Sequence, residues 1–424
     1  MNLTKIIFNT MKGAPVLASE WGSLLNVIRT VCITGFNENL VQSYEQSGDT
    51  LVLNFSVDHG YIKDQIITLS GAEQEEANTE YEVKSVLLRS LTIKLYDPEI
   101  LITGILSCKT SPLGWTEVFS GENKAVFRAK NIINNPFYLR IDDSCPIGYD
   151  PTWSKFARVT MSDGIVNIDE YGDFIKAPVY QDLPTDMNEL GNKITGAGGI
   201  FGIAKWYHGV GWGGSSERYS REASTNYQSQ NLEYELIGDN STIYFTPRIT
   251  TRKNSRALYA FTPFISNNST DVFNCFLSAS HVYRAANVDG TYYSNANNCI
   301  NNSWYSLNYE GKYLLSNYLG ISNTTPTSGP FSLNVGNNQQ ISGRSGDIPF
   351  PNPIDNSVVL SDVYLKESSN GGIRGTLPLI KWISNNWSYG HKFVFSKDNE
   401  KYIVIGNDYN DEGMTSFFAY RLER

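Results

Sequence analysis

At 424 residues the chain is long enough for two or three domains with hydrophobic cores of their own, so neither disulfides nor metals are required for stability. A net charge of −9 with no Lys/Arg block excludes a surface that follows a phosphate backbone, so nucleic acid is not an expected partner. Five cysteines, at positions 32, 108, 145, 275 and 299, form no C-x-x-C pair and read as reduced, mostly buried thiols.

Residues 1–10 hold one lysine and a short apolar patch broken by Asn9 and Thr10, too short and polar for the core of a signal peptide. No window approaches the roughly 20 apolar residues of a bilayer-spanning helix, so a soluble chain with no membrane span is expected. Trp21, Leu24, Leu25, Ile28, Val31 and Cys32 recur at spacings of three and four, which predicts an amphipathic helix from about residue 20 to 33. Ser19 is its expected cap, Glu20 suits the positive end of its dipole, and Gly35 stands where a left-handed terminating residue is wanted. The helix is expected to cover the edge of a β core, with docking onto another subunit as the alternative.

Residues 43–110 interrupt this segment with a compact run of strands. Leu51, Leu53, Phe55 and Val57 alternate with polar or smaller residues, Asp58-His59-Gly60 reads as a turn, and apolar positions return at Ile66 to Leu69, Tyr81 and Val83, Leu91 to Leu95, and Ile105 and Leu106. Five short strands in so little chain predict a small closed or half-closed barrel, because closure removes exposed edges. Farther on, strands are expected at 125–128, 137–141, 156–160, 242–245, 258–261 and 273–277, and near the end at 393–395, 402–405 and 417–420. The predicted fold class is therefore mainly β: a small inserted β-barrel-like module, a larger β-sandwich-like domain and one N-terminal amphipathic helix. The expected domains are 1–42 with 111–180, the inserted 43–110, and a β-rich 181–424. Residues 182–232, with glycines within 196–199 and 209–214, and residues 286–356, dense in Asn, Ser, Gly and Tyr, are expected either as disordered segments or, the favoured reading, as packed surface loops held by Trp212, Tyr292, Tyr293, Trp304 and Tyr305.

Catalytic patterns are missing from the sequence. His59, His208, His281 and His391 have no H-x-H or H-E-x-x-H spacing and no cysteine pair nearby, so no metal site is expected. There is no G-x-S-x-G elbow or P-loop, and the glycines of 196–214 lack the strand-to-helix context of a phosphate site. Glycan hydrolysis needs two carboxylates about 5 to 9.5 Å apart. Asp142 with Asp143, Asp163 with Asp169, and Asp408 with Asp411 are the candidates, and each pair reads as turn residues accepting local backbone hydrogen bonds. No catalytic, cofactor-binding or metal residue is assigned.

Several stretches, read in order, resemble uncharacterised tail- and baseplate-associated virion proteins of tailed bacteriophages and prophages. They are residues 11–15 (MKGAP) with 21–25 (WGSLL), 58–61 (DHGY) with 67–72 (ITLSGA), 112–115 (PLGW) with 119–128 (FSGENKAVFR), and 138–143 (YLRIDD). The match spans roughly the first 170 residues and thins to fragments beyond, such as 242–245, 374–378 and the closing strands. One departure is Asp58-His59-Gly60, where similar modules often carry Gly-His-Gly. The resemblance implies a structural protein of the virion, assembled in the host cytoplasm, that acts through interfaces with other tail or baseplate proteins rather than as an enzyme. Three or six copies around the tail axis are the natural expectation for such a component. The alternative is a receptor-binding or glycan-binding tail-tip protein, using the aromatics and Asn side chains of 286–356 against a host-surface glycan.

Overall fold

The computed structural model describes residues 3–145, 155–162, 164–169, 231–248, 257–269, 274–278, 357–366, 373–383, 390–410 and 413–422. It also describes the strand segments 180–181, 193–196, 199–203, 205–209, 312–315 and 327–328. The chain is mainly β, built on four large antiparallel sheets and a small three-stranded one, with one short helix near the N-terminus. No helix among the described residues is long and apolar enough to cross a membrane.

Strand β1 (Lys5–Phe8) leads to helix α1 (Ser23–Arg29), which continues as one wider turn, Thr30–Thr34. The buried stripe is the expected one, with Leu24, Leu25, Ile28, Val31 and Cys32 at 0% exposure. The start differs from expectation. The helix begins three residues later, Gly22 occupies the cap position with φ +83°, and no side chain of the flanking residues caps it. Ser19 is instead buried, 3% exposed, against Gly209. Gly35 does end the segment at φ +68°. A Cβ there would lie 2.2 Å from the Thr110 carbonyl oxygen, so both the conformation and the space demand glycine.

The interrupting segment, together with residues 36–40 that were expected in the surrounding domain, forms a seven-stranded sheet of its own: β2 (Phe36–Leu40), β3 (Ser43–Ser47), β4 (Thr50–Asn54), β5 (Ile66–Ala72), β6 (Glu80–Leu87), β7 (Ser90–Lys94) and β8 (Gly104–Thr110), in the order β2-β8-β5-β6-β7-β4-β3. The five strands legible as apolar alternation are all there. No closed barrel forms, because β2 and β3 end the sheet and do not pair with each other. They are successive along the chain. At the bend between them the Val41 amide donates to the Leu106 carbonyl of β8 and the Gln42 amide to the Asn54 carbonyl of β4, so one bent segment reaches both borders. Leu51, Leu53, Ile67, Leu69, Val83, Leu91 and Ile93 fill a hydrophobic cluster separate from the main one. The two chain crossings lie side by side, with Phe36 facing Thr110 in the ladder.

The second large sheet takes β9 (Thr116–Ser120), β10 (Lys124–Arg128), β11 (Tyr138–Asp142), β12 (Lys155–Ser162) and, beyond the three-stranded sheet of β13 (Tyr180–Gln181), β14 (Lys193–Gly196) and β15 (Gly199–Ile203), the strand β16 (Lys205–Gly209). In the third, β1 pairs with β17 (Tyr234–Gly238), followed by β18 (Ile243–Pro247), β19 (Tyr259–Pro263), β21 (Cys275–Ser278), β22 (Lys312–Leu315) and β23 (Thr327–Ser328). The fourth holds β20 (Ile265–Ser266), β24 (Leu360–Lys366), β25 (Ile373–Ile383), β26 (Val394–Lys397), β27 (Glu400–Asn410) and β28 (Gly413–Arg421).

Every residue of β17 and β18 is buried, which requires cover on both faces. On one side Phe245 packs towards Tyr259, whose ring stacks on Trp206 of β16 at 5.4 Å. On the other side the Tyr244 ring meets Tyr420 of β28 at 5.6 Å, and its hydroxyl donates to the Pro378 carbonyl of β25. The near-continuous apolar run Ile243-Tyr244-Phe245 is the sequence signature of that double burial, whereas a two-layer sandwich would leave one of these faces to solvent.

Candidate functional site

The charged groups that draw attention gather at the C-terminal end of β11. Successive strand residues point to opposite faces, so Asp142 and Asp143 part company although both are fully buried. Asp142 looks onto the polar face of the second sheet, where its register partners are Lys124 of β10 and Arg158 of β12. Its carboxylate is 2.8 Å from Arg158, 3.3 Å from Arg140 and 3.7 Å from Lys124, and it accepts the Ser144 amide at 3.1 Å. Burial alone would raise this carboxyl, but Arg158, Arg140, the Ser144 hydrogen bond and Lys124 together hold it below the ordinary carboxylate value. Arg140 is itself 1% exposed. It donates Nε–H to the Ile168 carbonyl and reaches Asp169, whose carboxylate also pairs with Lys124.

Asp143 looks the other way, under the helix. One carboxylate oxygen accepts the Leu25 amide of α1 at 3.2 Å, and the other sits 2.8 Å from His208 Nε2 of β16. The Asp143 carbonyl accepts the Gly22 amide. The first turn of α1 is thus satisfied by a residue 118 positions away in sequence, which is why no local cap is present. His208 Nδ1 donates to the Ala18 carbonyl at 3.0 Å, so the imidazole ties β16 both to the chain before α1 and to Asp143.

The other described histidines are similarly engaged. His59 Nδ1 accepts the Tyr61 amide, so Nε2 donates, to the Leu87 carbonyl at 2.8 Å and the Ser90 carbonyl at 3.2 Å. His391 Nδ1 accepts the Gly406 amide and Nε2 donates to Glu235, a fully buried carboxylate of β17 that Lys392 approaches to 3.3 Å. Each imidazole joins separate segments of chain, with both ring nitrogens occupied. Among the described residues no group of three or more His, Cys, Asp or Glu side chains is placed to hold a metal. Cys32, Cys108 and Cys275 are buried thiols. Burial pushes Cys108 up to about 12, and it raises the other two as well, which leaves them poor nucleophiles.

The carboxylate candidates therefore resolve unevenly. Asp142 keeps the expected turn role through Ser144, but it and Asp143 are chiefly buried anchors on opposite faces. They do not flank one space, as a hydrolytic pair must. Asp169 is an exposed member of the Asp142 network. Asp163, Asp411, His281, Tyr292, Tyr293, Trp304 and Tyr305 lie outside the described residues, as do Trp212 with its neighbours Gly211, Gly213 and Gly214, and nearly all of 286–356. Two clusters have no sequence signal at all: Glu235 with His391, 156 positions apart, and Lys401 with Asp64 and Glu82, more than 300 apart. No protein-family model and no curated protein matches the chain.

Proposed function

We propose that the protein is a structural component of a tailed-bacteriophage particle, placed in the tail or baseplate, which works by forming protein–protein interfaces. The observation that carries the reading is the insertion. A module with its own sheet and core interrupts a β body between two adjacent crossings at Gly35 and Thr110, and it interrupts the same run of residues on which the resemblance to tail and baseplate proteins rests. The use of charge supports it further. Asp142, Asp143, Glu235 and three histidines each fix distant segments to one another, as a scaffold requires. Assembly in three or six symmetric copies belongs to the same proposal. A mass-spectrometric inventory of purified particles, with immunogold labelling to place the chain, tests it. The expected result is a stoichiometric signal at the tail, and absence from the particle refutes the reading.

A further inference from the structure

The module and the body are both well packed internally, but little apolar surface joins them. Among the described residues their buried side chains form two separate clusters, and Phe36, at the first crossing, and Ile62 are the module side chains that join the body's. Polar contacts also join the two, and among the described residues the charged ones have one sign. From the body come three lysines: Lys5 of β1, Lys12 of the loop after it, and Lys401 of β27. From the module come acids and a carbonyl. Lys5 meets Glu80 at 2.8 Å, and Lys401 bridges Asp64 at 2.5 Å and Glu82 at 2.7 Å. Lys12 lays its stem on Gly60, where a Cβ would come within 2.5 Å of it, and donates its ammonium to the Asp58 carbonyl.

The charge distribution matches. Residues 43–110 carry eleven Asp and Glu against five Lys and Arg, a net charge of −6 within a chain whose total is −9. Lys12 is exposed, but the other two lysines are sheltered: the Lys5 side chain is 5% exposed and that of Lys401 18%, with Asp64 at 9%, Glu82 at 13% and Glu80 at 31%. Ion pairs this sheltered hold geometry, because removing one partner leaves the other uncompensated. The covalent connection does not hold it, since the chain crosses at only two adjacent points, Gly35 and Thr110. Boundaries that are small and polar permit relative motion unless something fixes them.

We propose that Lys5, Lys12 and Lys401 form an electrostatic latch that clamps the acidic module in one orientation on the body, and that breaking it lets the module swing as a unit about the paired crossings at Gly35 and Thr110. The latch is a property of the fold and does not depend on the virion reading. Lys84, which also pairs with Glu82 at 2.5 Å, lies on the module's own strand and moves with it. In the released state the Asp64, Glu80 and Glu82 strip faces solvent.

The test uses the full-length chain with a dye pair on Leu101 of the module and Ile265 of the body, both exposed, attached through non-natural residues so that the native cysteines stay intact. Single-molecule energy transfer reads the distance between them at 0.1 M and 1 M salt, across which the Debye length falls from about 10 Å to about 3 Å. One narrow distance is expected for the unaltered chain at low salt. Lys401→Glu should raise the undocked fraction at least tenfold, and the compensating Lys401→Glu with Asp64→Lys and Glu82→Lys should restore the narrow distance. Circular dichroism accompanies each variant. A Lys401→Glu chain with native dichroism and an unchanged distance at both salt concentrations overturns the latch. Should that variant fail to fold, the paired Lys5→Met and Lys12→Met substitutions decide by the same readout: an unshifted distance again overturns it. A charge swap that leaves the module undocked shows that packing rather than charge sets the orientation, which also overturns it.

Discussion

Removing the Asp143 carboxylate tests the claim that a distant buried carboxylate, rather than a local cap, starts the helix. Asp143 and His208 are both 0% exposed and 2.8 Å apart, so truncating either leaves its partner buried and unsatisfied, a loss of about 1–3 kcal/mol. Asp143→Ala also strips the Leu25 amide of its acceptor, adding about 1–3 kcal/mol for an unsatisfied buried donor. His208→Ala spares that amide and should cost less. In the double variant neither partner is left orphaned, so the two single losses should overshoot the double loss by about 1–3 kcal/mol. Urea unfolding followed by tryptophan fluorescence measures all four proteins, and slopes that agree among them license the comparison of midpoints. Additivity within about 0.5 kcal/mol would refute the reasoning, because it would mean that the two groups do not depend on each other.

Further outcomes follow from the packing and the charges. Gly35→Ala imposes φ +68° on a side chain and drives its Cβ to 2.2 Å from the Thr110 carbonyl, so a loss beyond the ~1–3 kcal/mol of the conformation alone is expected in the same urea assay. Leu53→Ala opens a cavity in the module core and should cost about 2–5 kcal/mol, read by hydrogen exchange as faster opening of β4 and β7 amides while β17 and β18 remain protected. Asp142 is ionised to lower pH in the folded chain than in the unfolded one, so its contribution is complete above the unfolded value of ~3.9 and is lost as pH falls through the folded value. Asp142→Asn should accordingly flatten the fall of melting temperature with acid between about pH 5 and pH 2, and an unchanged slope would assign the acid sensitivity elsewhere.

Alternation made the module legible. Leu51 and Leu53, Ile67 and Leu69, and Leu91 and Ile93 each repeat at a spacing of two, and each lies in the strand expected. β2 and β3 were not legible, since Phe36 to Leu40 and Ser43 to Ser47 are mostly polar and only partly buried, and only pairing with β8 and β4 defines them. The closed barrel fails for the same reason, as the bent segment that borders the sheet carries no apolar pattern. The helix start was misplaced because Ser19 is a good local cap by residue type, whereas the acceptors that fix the first turn come from Asp143, after the whole inserted module. Buried charge networks such as Glu235 with His391 join residues whose proximity no local window encodes.

The pairing of β1 with β17 brings Lys5 opposite Gly238. On a ribosome adding about 5–20 residues per second, the partner of β1 emerges roughly 12 to 47 seconds after β1 itself. During that interval the Ile6-Ile7-Phe8 strand has no sheet to join, while residues 36–110, whose ladder partners all lie among themselves, can complete their own sheet. The order of synthesis therefore favours a folded module hanging between two unfolded arms, the earlier of which carries an apolar strand that must be sheltered until the later one arrives. Long-range closure of this kind is slow and exposed to aggregation, and it makes Ile6-Ile7-Phe8 a strand that needs shelter during translation.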